Sequence, residues 1–129
     1  MLVQNICSKE AYNMLVSNNN TFLVDVRTEE EWKNVGVPSL SNKNNVIFLS
    51  WQLSPFMELN KDFEDRFLSI MDDKMSNIIF FLYRSGHRSL MAANFTANLG
   101  YKNCYNIIDG FEGNLQNKGW KQNNLPWQF

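Results

Sequence analysis

The residues best suited to chemistry in this chain form a short loop between an apolar run and an amphipathic segment. The loop follows residues 77–82, and its members are Arg84, Ser85, Gly86, His87, Arg88 and Ser89. Successive backbone N–H groups in such a turn can form a concave site, and the start of a following helix adds partial positive charge. The loop therefore predicts an anion-binding site for a thiolate, persulfide, thiosulfate or phosphate group. The alternative is an ordinary strand-to-helix connection whose arginines are solvated or paired with acidic neighbours.

Strand and helix patterns alternate along the chain and place this loop in an α/β sheet. β-Branched and aromatic runs predict strands at residues 21–26, 46–49, 77–82 and 104–108. Helices are predicted after Ser8, after Thr28, where Glu31 completes a capping box, and after Asn60. A further helix follows the loop. Because residues 77–82 are almost all apolar, the sheet should be covered on both faces and mainly parallel.

Helical spacing predicts which side chains of the last two helices face the core. For the helix after Asn60, the apolar face consists of Phe63, Phe67, Ile70 and Met71. For the helix after the loop it consists of Met91, Phe95 and Leu99, with Gly100 placed to end the helix. Trp120 and Trp127 are predicted to attach the C-terminal segment to the domain.

Ligands of parallel sheets bind outside the carboxyl ends of the strands. Three segments end there with polar residues, at 25–27, 83–88 and 109–110. Asp25 and Arg27 should therefore lie near the loop. A structural role is favoured for both, because a carboxylate at a strand end commonly accepts nearby backbone N–H groups.

The composition indicates one globular domain spanning residues 1–129. A hydrophobic fraction of 44% excludes a disordered chain, and a net charge of −1 disfavours a nucleic-acid partner. The longest apolar run is too short to span a membrane, and no signal peptide is apparent. Two cysteines, Cys7 and Cys104, can form neither a disulfide framework nor a four-cysteine metal site. We therefore expect a cytoplasmic protein with no metal, cofactor or membrane partner.

The loop and several shorter segments resemble one known family, the single-domain rhodaneses, or thiosulfate sulfurtransferases. The string Tyr83-Arg84-Ser85-Gly86-His87-Arg88-Ser89 is similar to their Cys-Arg-Ser-Gly-x-Arg-Ser loop with the first residue changed. The other similar segments, in chain order, are residues 23–27, 31–32, 36–38, 100–101, 109–113, 119–120 and 125–127. The resemblance covers nearly the whole chain. It implies a three-layer fold in which helices cover both faces of a mainly parallel sheet of about five strands.

The resemblance also implies a reaction, and this chain departs from its central residue. In the family, the loop cysteine takes a sulfane sulfur from thiosulfate or a similar donor, holds it as a persulfide and passes it to cyanide or a thiol. Tyr83 stands at that position here. A phenol has a reference pKa near 10, and its oxygen cannot form a persulfide. The chain is therefore predicted to be a pseudoenzyme, inactive as written and at most an anion-binding or regulatory module.

Two alternatives would allow sulfur transfer by this chain or by its natural form. Sulfur transfer could proceed through another thiol of the chain or through a partner's thiol, but both cysteines of the chain are expected to behave as small buried apolar side chains. Otherwise, Tyr83 is a variant or engineered replacement of a natural cysteine, since Cys and Tyr codons differ by one base. An active form would take a small sulfur-containing anion and a thiol acceptor. The sequence leaves a protein partner open. Phosphatases of the same fold use a longer loop, so phosphatase activity is disfavoured.

Overall fold

The computed structural model describes residues 3–42, 45–71 and 75–129. In chain order its elements are β1 (Gln4–Ile6), α1 (Ser8–Ser17), β2 (Thr21–Asp25), α2 (Glu29–Val35), β3 (Val37–Pro38), β4 (Val46–Phe48), β5 (Gln52–Leu53), β6 (Glu58–Leu59), α3 (Phe63–Met71), β7 (Ile78–Leu82), α4 (His87–Asn98), β8 (Asn103–Ile107) and β9 (Trp127–Gln128). One 5-stranded sheet has the order β1-β8-β7-β2-β4, and each neighbouring pair in it is parallel. The predicted α/β class with a mainly parallel sheet is confirmed.

The central strands β2 and β7 are buried on both faces. Phe81 and Val24 point into a core shared with α3 and α4, whereas Phe80 and Leu23 point into a core shared with α1 and the C-terminal segment. Successive side chains of a strand point to opposite faces, so an uninterrupted apolar run fills both cores. This packing confirms the predicted arrangement of helices on both faces of the sheet.

Helix α2 begins as its sequence predicts. The Thr28 hydroxyl accepts a hydrogen bond from the Glu31 backbone N–H at 3.3 Å, and the Glu31 carboxylate accepts from the Thr28 N–H at 3.4 Å. The helix ends at Val35, and Gly36 follows with a φ of 107°. Among the helices of the described residues, none has both the length and the apolar character needed to cross a membrane.

Helix α1 begins differently from the prediction, which made Ser8 its N-cap. The N-cap is Cys7, whose side chain makes no capping bond, and Ser8 is the first helical residue. The Ser8 N–H and hydroxyl donate to the Asp109 carboxylate at 2.9 and 2.8 Å. The N–H groups at the start of a helix lack partners within the helix, and a capping side chain usually accepts from one of them. In α1 the carboxylate of a residue far along the chain takes this role.

Helix α3 has most of its predicted apolar face. Phe63, Phe67 and Met71 are buried, but Ile70 is 46% exposed, so its assignment to the core was wrong. The helix begins at Phe63, and Asn60 lies in the turn before it, where its side-chain oxygen accepts from the Asp62 N–H at 3.1 Å. Three side chains at intervals of four residues are enough to cover this part of the core.

The buried face of α4 was predicted only in part, since Phe95 and Leu99 pack against the core but Met91 is exposed. Met91 is 53% exposed, and Phe95 and Leu99 are only partly buried. The buried positions carry small side chains, namely Ser89, Ala92, Ala93, Thr96 and Ala97. Small side chains allow the helix to lie close to β7 and β8, so the large apolar residues occupy its flanks. Gly100 follows the helix with a φ of 112°, as predicted for a helix end.

The C-terminal segment packs onto the domain, as its tryptophans predict. Trp120 is fully buried, and its indole N–H donates to the Pro126 carbonyl at 2.7 Å. Trp127 lies in β9, which pairs antiparallel with β3. The pairing holds the end of the chain beside Gly36, where a Cβ would approach the Trp127 ring to 2.7 Å.

Candidate anion-binding loop

Three segments meet at the carboxyl edge of the central sheet. Tyr83 follows β7, Arg27 lies just beyond β2, and Asp109 lies just beyond β8. The Val26 N–H donates to the Leu82 carbonyl at 2.9 Å, and the Phe111 N–H donates to the Tyr83 carbonyl at 2.8 Å. These bonds fix the backbone of Tyr83 between its two neighbouring segments, whatever side chain the residue carries.

Two glycines allow the loop to approach the segment after β8. Gly86 is the N-cap of α4 and has a left-handed backbone with a φ of 99°; a Cβ there would overlap the carbonyl oxygen of Ile108. Gly110 has a φ of 64°, and a Cβ there would overlap the carbonyl oxygen of Arg84. Both positions combine a positive φ with close backbone contact, so both require glycine.

Unpaired backbone donors are concentrated in the loop. Among the described residues, no oxygen accepts a hydrogen bond from the backbone N–H of Ser85, Gly86, Arg88 or Ser89. These groups lie at or before the first turn of α4, where helix N–H groups lack internal partners. An anion held there would meet several donors and the positive end of the helix dipole.

The charged side chains of the loop are also unpaired in the described structure. Arg84 is exposed and Arg88 is half-buried, and neither has an ion-pair partner among the described residues. His87 begins α4, but its side chain lies outside the described part of the structure. The Ser89 hydroxyl donates to the Asn106 side-chain oxygen, both groups being buried. Ser89 is itself fully buried, so its hydroxyl serves to attach the start of α4 to β8.

Tyr83, the residue that follows β7 and precedes the loop, is largely buried, with 7% of its surface exposed. Its ring belongs to the core shared with α3 and α4, and the Arg88 guanidinium carbon lies 5.9 Å from the ring centroid. Burial raises the pKa of the Tyr83 phenol above 10.0, and the Glu31 carboxylate raises it further, against a smaller lowering by Arg88 and Arg84. The phenol is therefore protonated at neutral pH.

Asp25 and Arg27 form a buried ion pair beside the loop. Both side chains are fully buried, and the shortest contact, between Arg27 Nη2 and Asp25 Oδ2, is 2.7 Å. The same Arg27 nitrogen donates to the Gly36 carbonyl at 2.9 Å, and its guanidinium stacks on Phe111. Asp25 also accepts from the Arg27 backbone N–H at 3.2 Å. These contacts connect the end of β2 with the segments after α2 and β8.

The two cysteines lie at opposite edges of the sheet. Cys104 is near the amino end of β8, buried, with its Sγ 3.6 Å from the Thr96 hydroxyl; burial raises the pKa of this thiol. Cys7 follows β1 at the carboxyl edge and is only half-buried, contrary to its expected burial. Its Sγ donates to the Glu10 carboxylate at 3.3 Å. Cys7 is not fully buried because it occupies the N-cap position of α1, just beyond the end of β1.

Some residues that support the loop were not singled out from the sequence. Asn106 accepts from Ser89, and Phe111 stacks on Arg27. A polar residue in an otherwise buried strand is a signal that could have identified Asn106, because buried amides need partners. Within the described residues, no group of three or more His, Cys, Asp or Glu side chains is placed to hold a metal ion.

Comparison with solved structures supports this fold. The crystal structure of Rv0390 from M. tuberculosis matches with a TM-score of 0.83 and 36% identity, covering 99% of this chain and 98% of that one. A rhodanese-like domain protein from Staphylococcus aureus matches with a TM-score of 0.64 and 20% identity, covering 86% of this chain and 90% of that one. The second similarity concerns the fold alone, and it is a rhodanese-like fold.

Comparison with known sequences identifies the family. An uncharacterized protein of Rickettsia conorii is 72% identical over 129 residues, covering 100% of both chains. The chloroplastic rhodanese-like domain-containing protein 4 of Arabidopsis thaliana is 26% identical over 125 residues, covering 93% of this chain but 24% of that protein. The family model of the STR4 middle domain matches residues 4–129. The chain therefore belongs to the STR4 middle domain family, with a rhodanese-like fold.

Proposed function

We propose that this domain binds small anions at the loop 84–89 and does not catalyse sulfur transfer. The observation that carries the proposal is the buried, protonated phenol of Tyr83 at the position where the reaction needs a thiolate. In sulfur transfer from thiosulfate, the thiolate attacks the outer sulfur, the S–S bond of the donor breaks, and sulfite leaves with the bonding electrons. A phenol oxygen cannot form the persulfide that carries the sulfur onward.

Neither cysteine supplies the missing thiolate in this proposal. Cys104 is buried at the opposite edge of the sheet, and its raised pKa keeps the thiol protonated. Cys7 shares an edge with the loop, but the whole width of β8 separates its strand from β7. Reactive thiols need an accessible and electropositive setting, whereas the Cys7 thiol donates to the Glu10 carboxylate.

Anion binding is supported by the donors that remain in the loop. The backbone N–H groups of Ser85, Gly86, Arg88 and Ser89 have no acceptor among the described residues, and two arginines flank them. Oxyanions with several oxygens, such as thiosulfate, sulfate or phosphate, match a group of converging N–H donors. The domain would then act as an anion-responsive or regulatory module.

The experiment compares the chain as written with Tyr83→Cys and Tyr83→Ser in thiocyanate formation from thiosulfate and cyanide. We expect no turnover above background for the chain as written or for Tyr83→Ser. Robust turnover by the unaltered chain would refute the proposal, and Cys7→Ser and Cys104→Ser would then identify the thiol. Separately, thiosulfate should shift the backbone amide resonances of residues 85–89 at millimolar concentration. Unchanged resonances would refute anion binding.

The second candidate is an active sulfurtransferase in which Tyr83 replaces a natural cysteine. It is favoured because the backbone of residue 83 is held by the Phe111 N–H and not by the phenol, so a cysteine could take the same place. Tyr83→Cys should then gain turnover in the assay above, while Tyr83→Ser should not. Sequencing the gene in closely related strains tests directly whether a cysteine codon occurs at position 83.

A further inference from the structure

The side chain of Tyr83 combines a buried ring with a hydroxyl that has no partner. Only 7% of the residue's surface is exposed, and its ring packs in the core shared with α3 and α4. The hydroxyl makes no hydrogen bond with any described residue. Polar groups of largely buried side chains nearly always have a partner, and a phenol can donate one hydrogen bond. An unused donor therefore stands directly before the loop.

The oxygen of Tyr83 can be reached from outside the protein. In the described part of the chain, unpartnered polar atoms without accessible surface occur on Arg27, Glu31, Trp32, Trp51 and Gln52. The Tyr83 oxygen also lacks a partner, but it is not one of these enclosed atoms. It therefore accounts for part of the small exposed surface of the residue, and a ligand at the loop can contact it.

The charged groups that act on the phenol include both arginines of the loop. Burial raises the pKa of the Tyr83 phenol, and Glu31 raises it further. Arg88 and Arg84 lower this pKa, and Glu112 raises it. The Arg88 guanidinium carbon lies 5.9 Å from the ring centroid, close enough for a cation to interact with the ring face. A protonated phenol thus stands beside two cations and can donate to an anion that they attract.

We propose that the Tyr83 hydroxyl donates to an oxygen of the anion held at the loop and thereby selects oxyanions that are strong hydrogen-bond acceptors. This inference rests on the anion binding proposed above and specifies the ligand class of that site. Arg84 and Arg88 attract negative charge of any kind, whereas an O–H group bonds most strongly to an oxygen on which charge is concentrated. Sulfate and phosphate have such oxygens. Perchlorate has the same tetrahedral shape but carries less charge on each oxygen.

The test compares the unaltered chain with Tyr83→Phe, which keeps the ring in the core and removes only the hydroxyl. Sulfate is titrated at constant ionic strength, and binding is followed by the backbone amide resonances of Ser85, Gly86 and Arg88. We expect Tyr83→Phe to weaken sulfate binding by about tenfold, the loss that corresponds to one hydrogen bond to a charged group.

Two controls separate the hydroxyl from a general effect on the structure. Tyr12→Phe removes a hydroxyl from a half-buried tyrosine that packs against Trp120 in the core on the other face of the sheet, and it should leave sulfate binding unchanged. The second control replaces sulfate with perchlorate. A repacked ring would weaken the binding of both anions alike, whereas the loss of one donor should weaken sulfate binding far more than perchlorate binding.

The outcomes distinguish the role of the hydroxyl from the anion binding on which it rests. Equal sulfate affinity of the unaltered chain and Tyr83→Phe would overturn the role of the hydroxyl and leave anion binding at the loop intact. Equal losses for sulfate and perchlorate in Tyr83→Phe would do the same. If sulfate shifts the loop amides in neither protein, both the role of the hydroxyl and anion binding at the loop are refuted.

Discussion

The guanidinium carbon of Arg27 lies 4.1 Å from the centroid of the Phe111 ring, and both side chains are fully buried. The Asp25 carboxylate accepts from the Nε and Nη2 atoms of the same arginine. Because the Phe111 N–H donates to the Tyr83 carbonyl, this stack connects the ion pair to the residue that begins the loop. The buried charge of Arg27 therefore helps to hold the segment after β8, which supports the loop.

Arg27→Gln should destabilise the domain by about 3–5 kcal/mol, because it leaves the Asp25 carboxylate buried without its counter-charge. Urea denaturation followed by tryptophan fluorescence measures the free energy of unfolding. Lys33→Gln is the control, since Lys33 is exposed on α2, and it should not change the midpoint. A loss below about 1 kcal/mol in Arg27→Gln would show that the pair can be replaced without penalty.

Gly86→Ala should lose both stability and thiosulfate binding, because the added Cβ would overlap the Ile108 carbonyl and force the loop to move. Gly100→Ala is a matched control: its φ of 112° is also positive, but its Cβ would meet only the Met75 side chain, at 3.4 Å. Both variants incur the cost of a positive φ, about 1 kcal/mol or more. Chemical-shift titration should therefore show weakened anion binding in Gly86→Ala alone. Similar losses in both would contradict the overlap.

The Asp109 carboxyl should make stability depend on pH in a defined direction. Burial raises its pKa above the ordinary value of 3.8, against a lowering by the Ser8 hydrogen bonds. The folded state then binds the proton more tightly than the unfolded state does. The stability contributed by this carboxyl is therefore fully present below pH 3.8 and is lost as the pH rises through the raised pKa.

Asp109→Asn isolates this dependence, because an amide can accept from the Ser8 N–H and donate to its hydroxyl without titrating. The difference in unfolding free energy, wild type minus Asp109→Asn, should increase as the pH is lowered from 7 towards 3.8. Urea denaturation across this range measures it. A difference that is constant with pH, or that decreases on acidification, would show that the carboxyl's pKa is not raised.

Tyr83 should titrate only at high pH. Because the pKa of its phenol in the folded state lies above 10.0, the unfolded chain ionises first, and stability falls as the pH rises past 10. Tyr83→Phe removes the titrating group but keeps the ring. The wild type should therefore lose unfolding free energy more steeply than Tyr83→Phe above pH 10. Parallel curves would mean that the phenol is not desolvated.

The features that could be predicted from sequence depend on neighbours along the chain. Thr28 and Glu31 are adjacent on one helical turn, so their capping box follows from local spacing alone. The β7 strand follows from its apolar composition, and the loop after it from its charge and glycine. These local signals were sufficient for four of the five strands of the central sheet, namely β2, β4, β7 and β8, but not for β1.

The features that were predicted wrongly or missed depend on residues far apart in sequence. Ser8 does not cap α1 because Asp109 accepts its N–H and hydroxyl. Met91 does not face the core because α4 packs closely against the sheet through alanines, which carry little periodic signal. The partners of Ser89 and Arg27, namely Asn106 and Phe111, follow from strand order, and that order was not available from spacing.

The order of the strands has a consequence for how the domain is made during synthesis. β1 precedes the other elements of the domain, yet the strand that it pairs with in the described sheet is β8. Ser8, at the start of α1, bonds Asp109 across a separation of 101 residues. During synthesis, β1 must therefore remain without its partner strand until β8 has been made. The polar sequence of β1, in which Gln4 and Asn5 accompany a single buried apolar residue, Ile6, limits aggregation of this segment during that interval.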